Sequence, residues 1–363
     1  MKKNDGRILA TLNTMEDLNF EFLIVSSKEN IRYLFGQVLE TGKRLSAVIV
    51  KTNGDMHLII NQMFSDKVIH VSNMKIHYYN DGENPLVEIM KALPAGGYGG
   101  IDQTFNIKDY LEIVNNRADV KLVLSNCVEK IREIKETEEI NLLRQSSRIA
   151  DAVMHQIVQL QSFPDTEESI ERIIKGFFRE YDVSHLTFNP IIASSDNTAN
   201  PHHIPSYRFT EMNKPLLIDL GGKYQGYCSD TTRMFYFSEA DKKFLSYYEY
   251  LKEAQNSVLE IIKPGIEIRE IELFIRDYLK KKNLEELFIH GTGHGIGLEA
   301  YESPNIHSQN KEIVKEGMVI TVGPGLYARG EFGMRIEDVI CVTENGYENF
   351  NKSSKDLVLL EFH

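Results

Sequence analysis

Residues 128–161, VEKIREIKETEEINLLRQSSRIADAVMHQIVQLQ, constrain this chain more than any other stretch. Apolar residues recur there at helical spacing, among many charges, for far longer than a strand lasts. Thr137, with Glu138 and Glu139 behind it, predicts the start of a long helix. Upstream the texture is different. FLIVSS (22–27) predicts a buried strand, and LSAVIVKTNGDMHLII (45–60) two strands around an Asn-Gly turn. PLVEIMKAL (85–93) predicts a helix, GGYGGID (96–102) a loop entering a strand, and KLVLSN (121–126) another strand. Alternation followed by long helices predicts an α/β (α+β) chain of two domains, 1–128 and 129–363.

Composition removes several classes of function. With 53 acidic against 41 basic residues the net charge is −12, and no basic cluster offsets it. No nucleic-acid partner is expected. No apolar run reaches the ~20 residues of a membrane helix, so no membrane partner is expected either. Cys127, Cys228 and Cys341 are far apart and odd in number, which argues for a reducing cytoplasm rather than a disulfide framework. The first residues predict an amphipathic helix with Ile8, Leu9, Leu12, Met15 and Leu18 on one face, not a signal peptide.

Downstream, helices are predicted over 167–181, 244–265 and 267–283, the second of these ending at Pro264-Gly265. Strand-like segments lie between and after them. Two helix pairs, each leading into strands, predict two related halves around a central sheet.

Three motifs carry the chemistry. In LLIDLGGKYQGYCSDTTR (216–233), Asp219 ends an apolar strand and Asp230 follows a Gly-Gly turn. A turn or bulge can bring both carboxylates to one face, where they would repel unless a proton or cation sat between them. The alternative is one Asp in a turn and one capping a strand. In HGTGHGIG (290–297), glycines at 291, 293, 295 and 297 disfavour a helix and predict a loop of close backbone approach bearing His290 and His294. In GMRIEDVI (333–340), alternation puts Arg335 and Glu337 on one face. Together Asp219, Asp230, His294 and Glu337 form oxygen donors plus one imidazole. That set suits Mn²⁺, Co²⁺, Zn²⁺ or Fe²⁺ better than Ca²⁺.

The order of these motifs, with ENIRYLFG (29–36) and IREIKETEEI (131–140), resembles the metallopeptidase family with the pita-bread fold, M24, in its Xaa-Pro dipeptidase (prolidase) and aminopeptidase P branch. The resemblance spans nearly the whole chain. It implies a smaller N-terminal creatinase-like domain, a C-terminal catalytic domain, a small peptide substrate, one or two divalent metals and a homodimer. Residue by residue, it implies Asp219, Asp230, His294 and Glu337 as metal ligands, with Asp230 and Glu337 bridging. It implies His202 as a substrate-side histidine that stabilises the intermediate, His290 as a histidine near the substrate carboxylate, and Arg335 as a substrate-contacting or supporting arginine.

Two positions depart from that pattern. Gly323, in TVGPG (321–325), stands where the family carries a glutamate that binds metal and acts as general base. Tyr301, in YESP (301–304), stands where active members carry a substrate-contacting histidine. Glu302 and Glu331 are candidates to compensate. Three readings follow: a Xaa-Pro peptidase with an altered or single-metal site, a creatinase-like metal-independent C–N hydrolase, and a non-catalytic binder of peptides or partners.

Overall fold

The structure, a computed structural model, describes residues 3–68, 71–160, 163 and 165–360. Gln161, the last residue of the long helical pattern, lies outside them. Contacts divide the chain into two compact units, Met1–Arg132 and Glu133–His363.

The first unit runs α1 (Lys3–Asp17), β1 (Phe22–Val25), α2 (Lys28–Phe35), β2 (Ala47–Lys51), β3 (Met56–Asn61), β4 (Met74–Tyr79), α3 (Pro85–Ala92), β5 (Gly97–Asp102), α4 (Ile107–Asn116), β6 (Val120–Ser125) and α5 (Cys127–Arg132). Its six-stranded sheet has the order β4-β3-β2-β1-β5-β6. The mixed sheet follows from its connections: the Asn53-Gly54 turn makes β2 and β3 antiparallel, while β5 and β6, joined through α4, are parallel. All four residues of β1 are buried, as a central strand with both faces covered requires. The helical period of α1 is as predicted, but its face is rotated. Met15 is buried as expected and Ile8 and Leu12 are half-buried, while Arg7 and Thr11 turn inward and Leu9 and Leu18 are exposed. Arg7 donates to the carbonyl of Tyr33, so a hydrogen bond rather than apolarity sets that stripe.

The second unit contains α6 (Thr137–Val158), α7 (Glu167–Glu180), β7 (Ile191–Ser194), β8 (Pro215–Leu220), β9 (Lys223–Tyr224), β10 (Tyr227–Cys228), β11 (Thr231–Phe237), α8 (Lys242–Leu259), α9 (Ile268–Lys281), β12 (Gly293–Gly295), β13 (Glu302–Ile306), β14 (Val319–Val322), β15 (Gly325–Ala328), β16 (Phe332–Arg335), β17 (Asp338–Thr343), β18 (Gly346–Asn349) and β19 (Val358–Leu360). The helical pattern of 128–161 is interrupted before Thr137, where Ile134 bridges to Met318. Glu139 accepts from the Glu136 amide and closes the first turn of α6.

Two halves are present, but each has its own sheet. One has the order β19-β11-β8-β7, the other β13-β12-β14-β17-β18. Strand alternation explains the layering. Leu216, Ile218 and Leu220 of β8 pack with Ile149, Val153 and Ile157 of α6 and with Ile170, Ile174 and Phe178 of α7. Leu217 points to the other side, into a core shared with α8, α9 and the second sheet. Asp219 is in phase with Leu217, so it faces the second half. A bridge between Thr232 and Glu337 joins the halves at that level.

Candidate metal centre

β8 and β11 pair with Asp219 opposite Thr232. Asp230 lies two residues before Thr232 and therefore shares its face, with the small β9–β10 hairpin absorbing the intervening chain. The side-by-side reading of the two aspartates holds. Glu337 reaches the same place because the strand predicted through 333–340 is broken. β16 ends at Arg335, β17 starts at Asp338, and Glu337 sits in the joint. Asp338 faces away, bonded to Arg233 and Lys355. The Gly-rich loop contains the short strand β12, closely sandwiched between β13 and β14. A Cβ at Gly293 would lie 2.9 Å from Thr321 Oγ1 and collide with the Thr321 carbonyl, so only glycine admits this approach.

The result is a cavity of about 580 Å³ lined by all eight singled-out residues: His202, Asp219, Asp230, His290, His294, Tyr301, Arg335 and Glu337. They do not play equal parts. Ligating atoms of Asp230, His294 and Glu337 lie within 4.8 Å of one another. Asp219 stands beside them, held by Arg335 Nη2 at 2.6 Å. Arg335 is buried, and it also donates to Thr232 Oγ1 through Nε and to the Tyr327 hydroxyl through Nη1.

Hydrogen-bond partners assign both histidine tautomers. His294 Nδ1 is 3.0 Å from the Gly295 carbonyl, so it carries the proton, and Nε2 turns its lone pair toward Asp230 Oδ2, 3.7 Å away. Burial lowers the pKa of His294, which favours that neutral form. His290 Nδ1 likewise donates to the Gly291 carbonyl, leaving Nε2 to accept from Tyr327 at 2.9 Å. Burial pushes His290 down to about 4. A directed chain therefore runs from Tyr327 O–H to His290, and from Arg335 to both Tyr327 and Asp219.

The carboxyls themselves call for a cation. Burial, then the charges of Glu337 and Asp219, raise Asp230 well above the usual carboxylate range. Burial, then Asp219, pushes Glu337 up to about 7. Asp219 Oδ1 and Asp230 Oδ1 are buried and accept no hydrogen bond. Orphaned buried oxygens beside an imidazole lone pair are the donor set of a divalent metal, so the residues fit such an ion.

His202 lies at the exposed wall, and Tyr301 at the mouth lies against His294, the rings tilted by 50° with centroids 4.3 Å apart. Neither candidate compensating glutamate reaches the centre. Glu302 is bonded to Lys135 and to the Glu299 amide, and Glu331 is paired with Lys243 beside a different cavity. The sequence reading missed Tyr327. Its signal was the β15–β16 hairpin: Gly325 opposes Arg335 and Tyr327 opposes Gly333, which makes Tyr327 and Arg335 diagonal neighbours. It also missed Glu167, which accepts from Ser194, Asn197, Ser206 and His203 and ties down the segment carrying His202.

The profile of the Creatinase/Prolidase N-terminal domain matches residues 7–134, and that of Metallopeptidase family M24 matches 141–344. An uncharacterized peptidase of Staphylococcus aureus (strain bovine RF122 / ET3-1) is 32% identical over 329 residues, 89% of this chain and 92% of its own. The prolidase from Thermococcus sibiricus superposes with a TM-score of 0.93 at 28% identity, covering 99% of this chain and 100% of that one. The Xaa-Pro dipeptidase from Bacillus anthracis gives 0.89 at 28% identity, over 99% and 100%. A creatinase-like N-terminal domain, a pita-bread domain and a carboxylate–imidazole cluster thus occur in one chain, which belongs to metallopeptidase family M24.

Proposed function

We propose that the protein is a Xaa-Pro dipeptidase-type peptidase with one principal metal position, held by Asp230, His294 and Glu337. The observation that carries this is the asymmetry of the four ligand candidates. Three converge, while the fourth, Asp219, already has a guanidinium at 2.6 Å. A cation at full charge would find less to gain at Asp219 than at the other three. Mn²⁺, Co²⁺, Zn²⁺ and Fe²⁺ are the candidates. When bound, such an ion supplies a Lewis acid and a source of hydroxide near neutral pH.

The chain's own residues supply the rest. His294 presents Nε2 because its Nδ1 proton is committed to Gly295. Arg335 holds Asp219 in place, and it orients Tyr327, whose proton points to His290. His202, exposed on the cavity wall, would in this reading donate to a peptide carbonyl oxygen as charge develops there. Phe188, Pro190, Ile191, Ile204 and Pro205 form an apolar wall of the same cavity. That wall suits a pyrrolidine ring and supports a preference for proline. Because Gly323 brings no carboxylate, the proton acceptor is weaker than in relatives that carry one, which implies a rate lower by ~10²–10⁴. A homodimer, to be read by sedimentation, is part of the same proposal.

Metal analysis of protein purified without chelators, paired with hydrolysis of Xaa-Pro and Xaa-Leu dipeptides in Mn²⁺ or Co²⁺, tests the reading. About one equivalent of tightly held metal and slow, proline-selective cleavage are expected. Two tight equivalents with fast turnover would refute the single-metal part. A metal-loaded protein that binds dipeptides without cleaving them would favour the non-catalytic reading.

A further inference from the structure

A second cavity lies on the opposite side of the β11 strand. Thr232 and Met234 face the metal centre and its core, whereas Arg233 and Phe235 face α6. Between β11, β19 and α6 is a space of about 540 Å³. Its floor is apolar: Ala152, Val158, Phe235 and Val358. Its polar groups are cationic or neutral donors, with one carboxylate already engaged: Asp151 accepts from Asn351 Nδ2 and from the Lys352 amide.

Two buried polar atoms in this wall lack partners. Arg233 is 2% exposed, and its terminal nitrogens are spent on Thr232, Glu337, Asp338 and Ser353, but Nε bonds to nothing. Ser353 Oγ is equally unpaired. Arg148, one turn of α6 from Ala152, lines the same space and makes no hydrogen bond or ion pair among the described residues. Lys352, whose ammonium also donates to the Asn349 carbonyl, adds a second positive charge at the wall. Unsatisfied donors, two exposed cations and an apolar floor call for a ligand with a negative head and an apolar body.

We propose that this cavity is a binding site for a small aliphatic carboxylate, its head met by Arg148, Lys352 and the donors of Arg233 and Ser353, and its chain lying on Phe235, Val358 and Ala152. The site is separate from the metal centre but wired to it. Arg233 Nη1 donates to the carbonyl oxygen of Glu337 at 2.8 Å, so an occupant that draws on Arg233 also loads the backbone of Glu337.

Calorimetric titration of the full chain with octanoate tests this, with N-acetylleucine as a peptide-end carboxylate and 1-octanol and inorganic phosphate as controls. Saturable binding of octanoate or N-acetylleucine, and of neither control, is expected. Whichever binds more tightly identifies the acyl chain or the peptide end as the source. R148Q/K352Q should weaken binding about tenfold or more, since two charge-assisted contacts are lost. Ala152→Trp should abolish it by filling the floor while Mn²⁺ binding survives, which excludes a folding failure. No saturable binding, equal binding of octanol, or binding untouched by these variants would overturn the proposal. All these readouts are independent of peptidase activity, so the site stands or falls apart from the catalytic reading.

Discussion

Gly323 and the carboxyl of Glu337 compete for one space. A Cβ built at residue 323 would lie 2.6 Å from Glu337 Oε1 and 2.8 Å from its Cγ. Gly323 is not in the left-handed backbone region, so sterics alone reserve the position for glycine. The departure from the family pattern is thus more than a missing ligand. The carboxyl of Glu337, itself a ligand candidate, fills the place where it would project.

Gly323→Ala is accordingly expected to destabilise the protein by ~1–3 kcal/mol through overpacking and to weaken Mn²⁺ binding as Glu337 is displaced. Denaturant titration and metal titration read the two effects. Unchanged values in both would mean that Glu337 moves aside freely.

The pair Gly323→Glu and Tyr301→His tests whether the site is decayed or retuned. A gain of Xaa-Pro hydrolysis together with a rise in bound metal is expected of a decayed site. A glutamate that cannot displace Glu337 would leave metal stoichiometry and rate unchanged, which marks a retuned one.

Arg335→Met removes the buried cation among three buried carboxyls. Breaking such a pair costs ~3–5 kcal/mol. The loss should be partly recovered by Mn²⁺, because an ion at 100 times its Kd adds about 2.7 kcal/mol. Thermal melts with and without metal check this. A variant as stable as the parent in chelator would contradict the paired role of Arg335 and Asp219.

Acid stability should depend on Glu167. Burial alone would raise its pKa, but bonds from His203, Asn197, Ser194 and Ser206 together win and bring it down to about 2. A folded pKa below the unfolded value gives stability that is present above about pH 4.3 and lost as pH falls toward 2. The contribution is ~3 kcal/mol at most. In Glu167→Gln that part of the pH slope should disappear. A parent-like slope below pH 4 would assign the acid sensitivity elsewhere.

Much of this was legible in the linear chain because it depends on local spacing. The β2–β3 turn at Asn53-Gly54, the start of α6 at Thr137, and the helices from 167 and 268 follow from turn chemistry and 3.6-residue periodicity. So does the chemistry of the donor set, since residue type restricts which metals can be held. Other features depend on contacts distant in sequence. The inward face of α1 is set by the Arg7 bond to Tyr33, the break at Ile336 by the bridge from Glu337 to Thr232, and the division into two sheets by which strands find partners. The sequence by itself determined the two-domain α/β plan and nominated the aspartates, histidines and glutamate. Tertiary structure decided which of them converge. Burial desolvates the carboxyls, Arg335 claims Asp219, and Glu337 takes the room that Gly323 leaves, none of which any local pattern encodes.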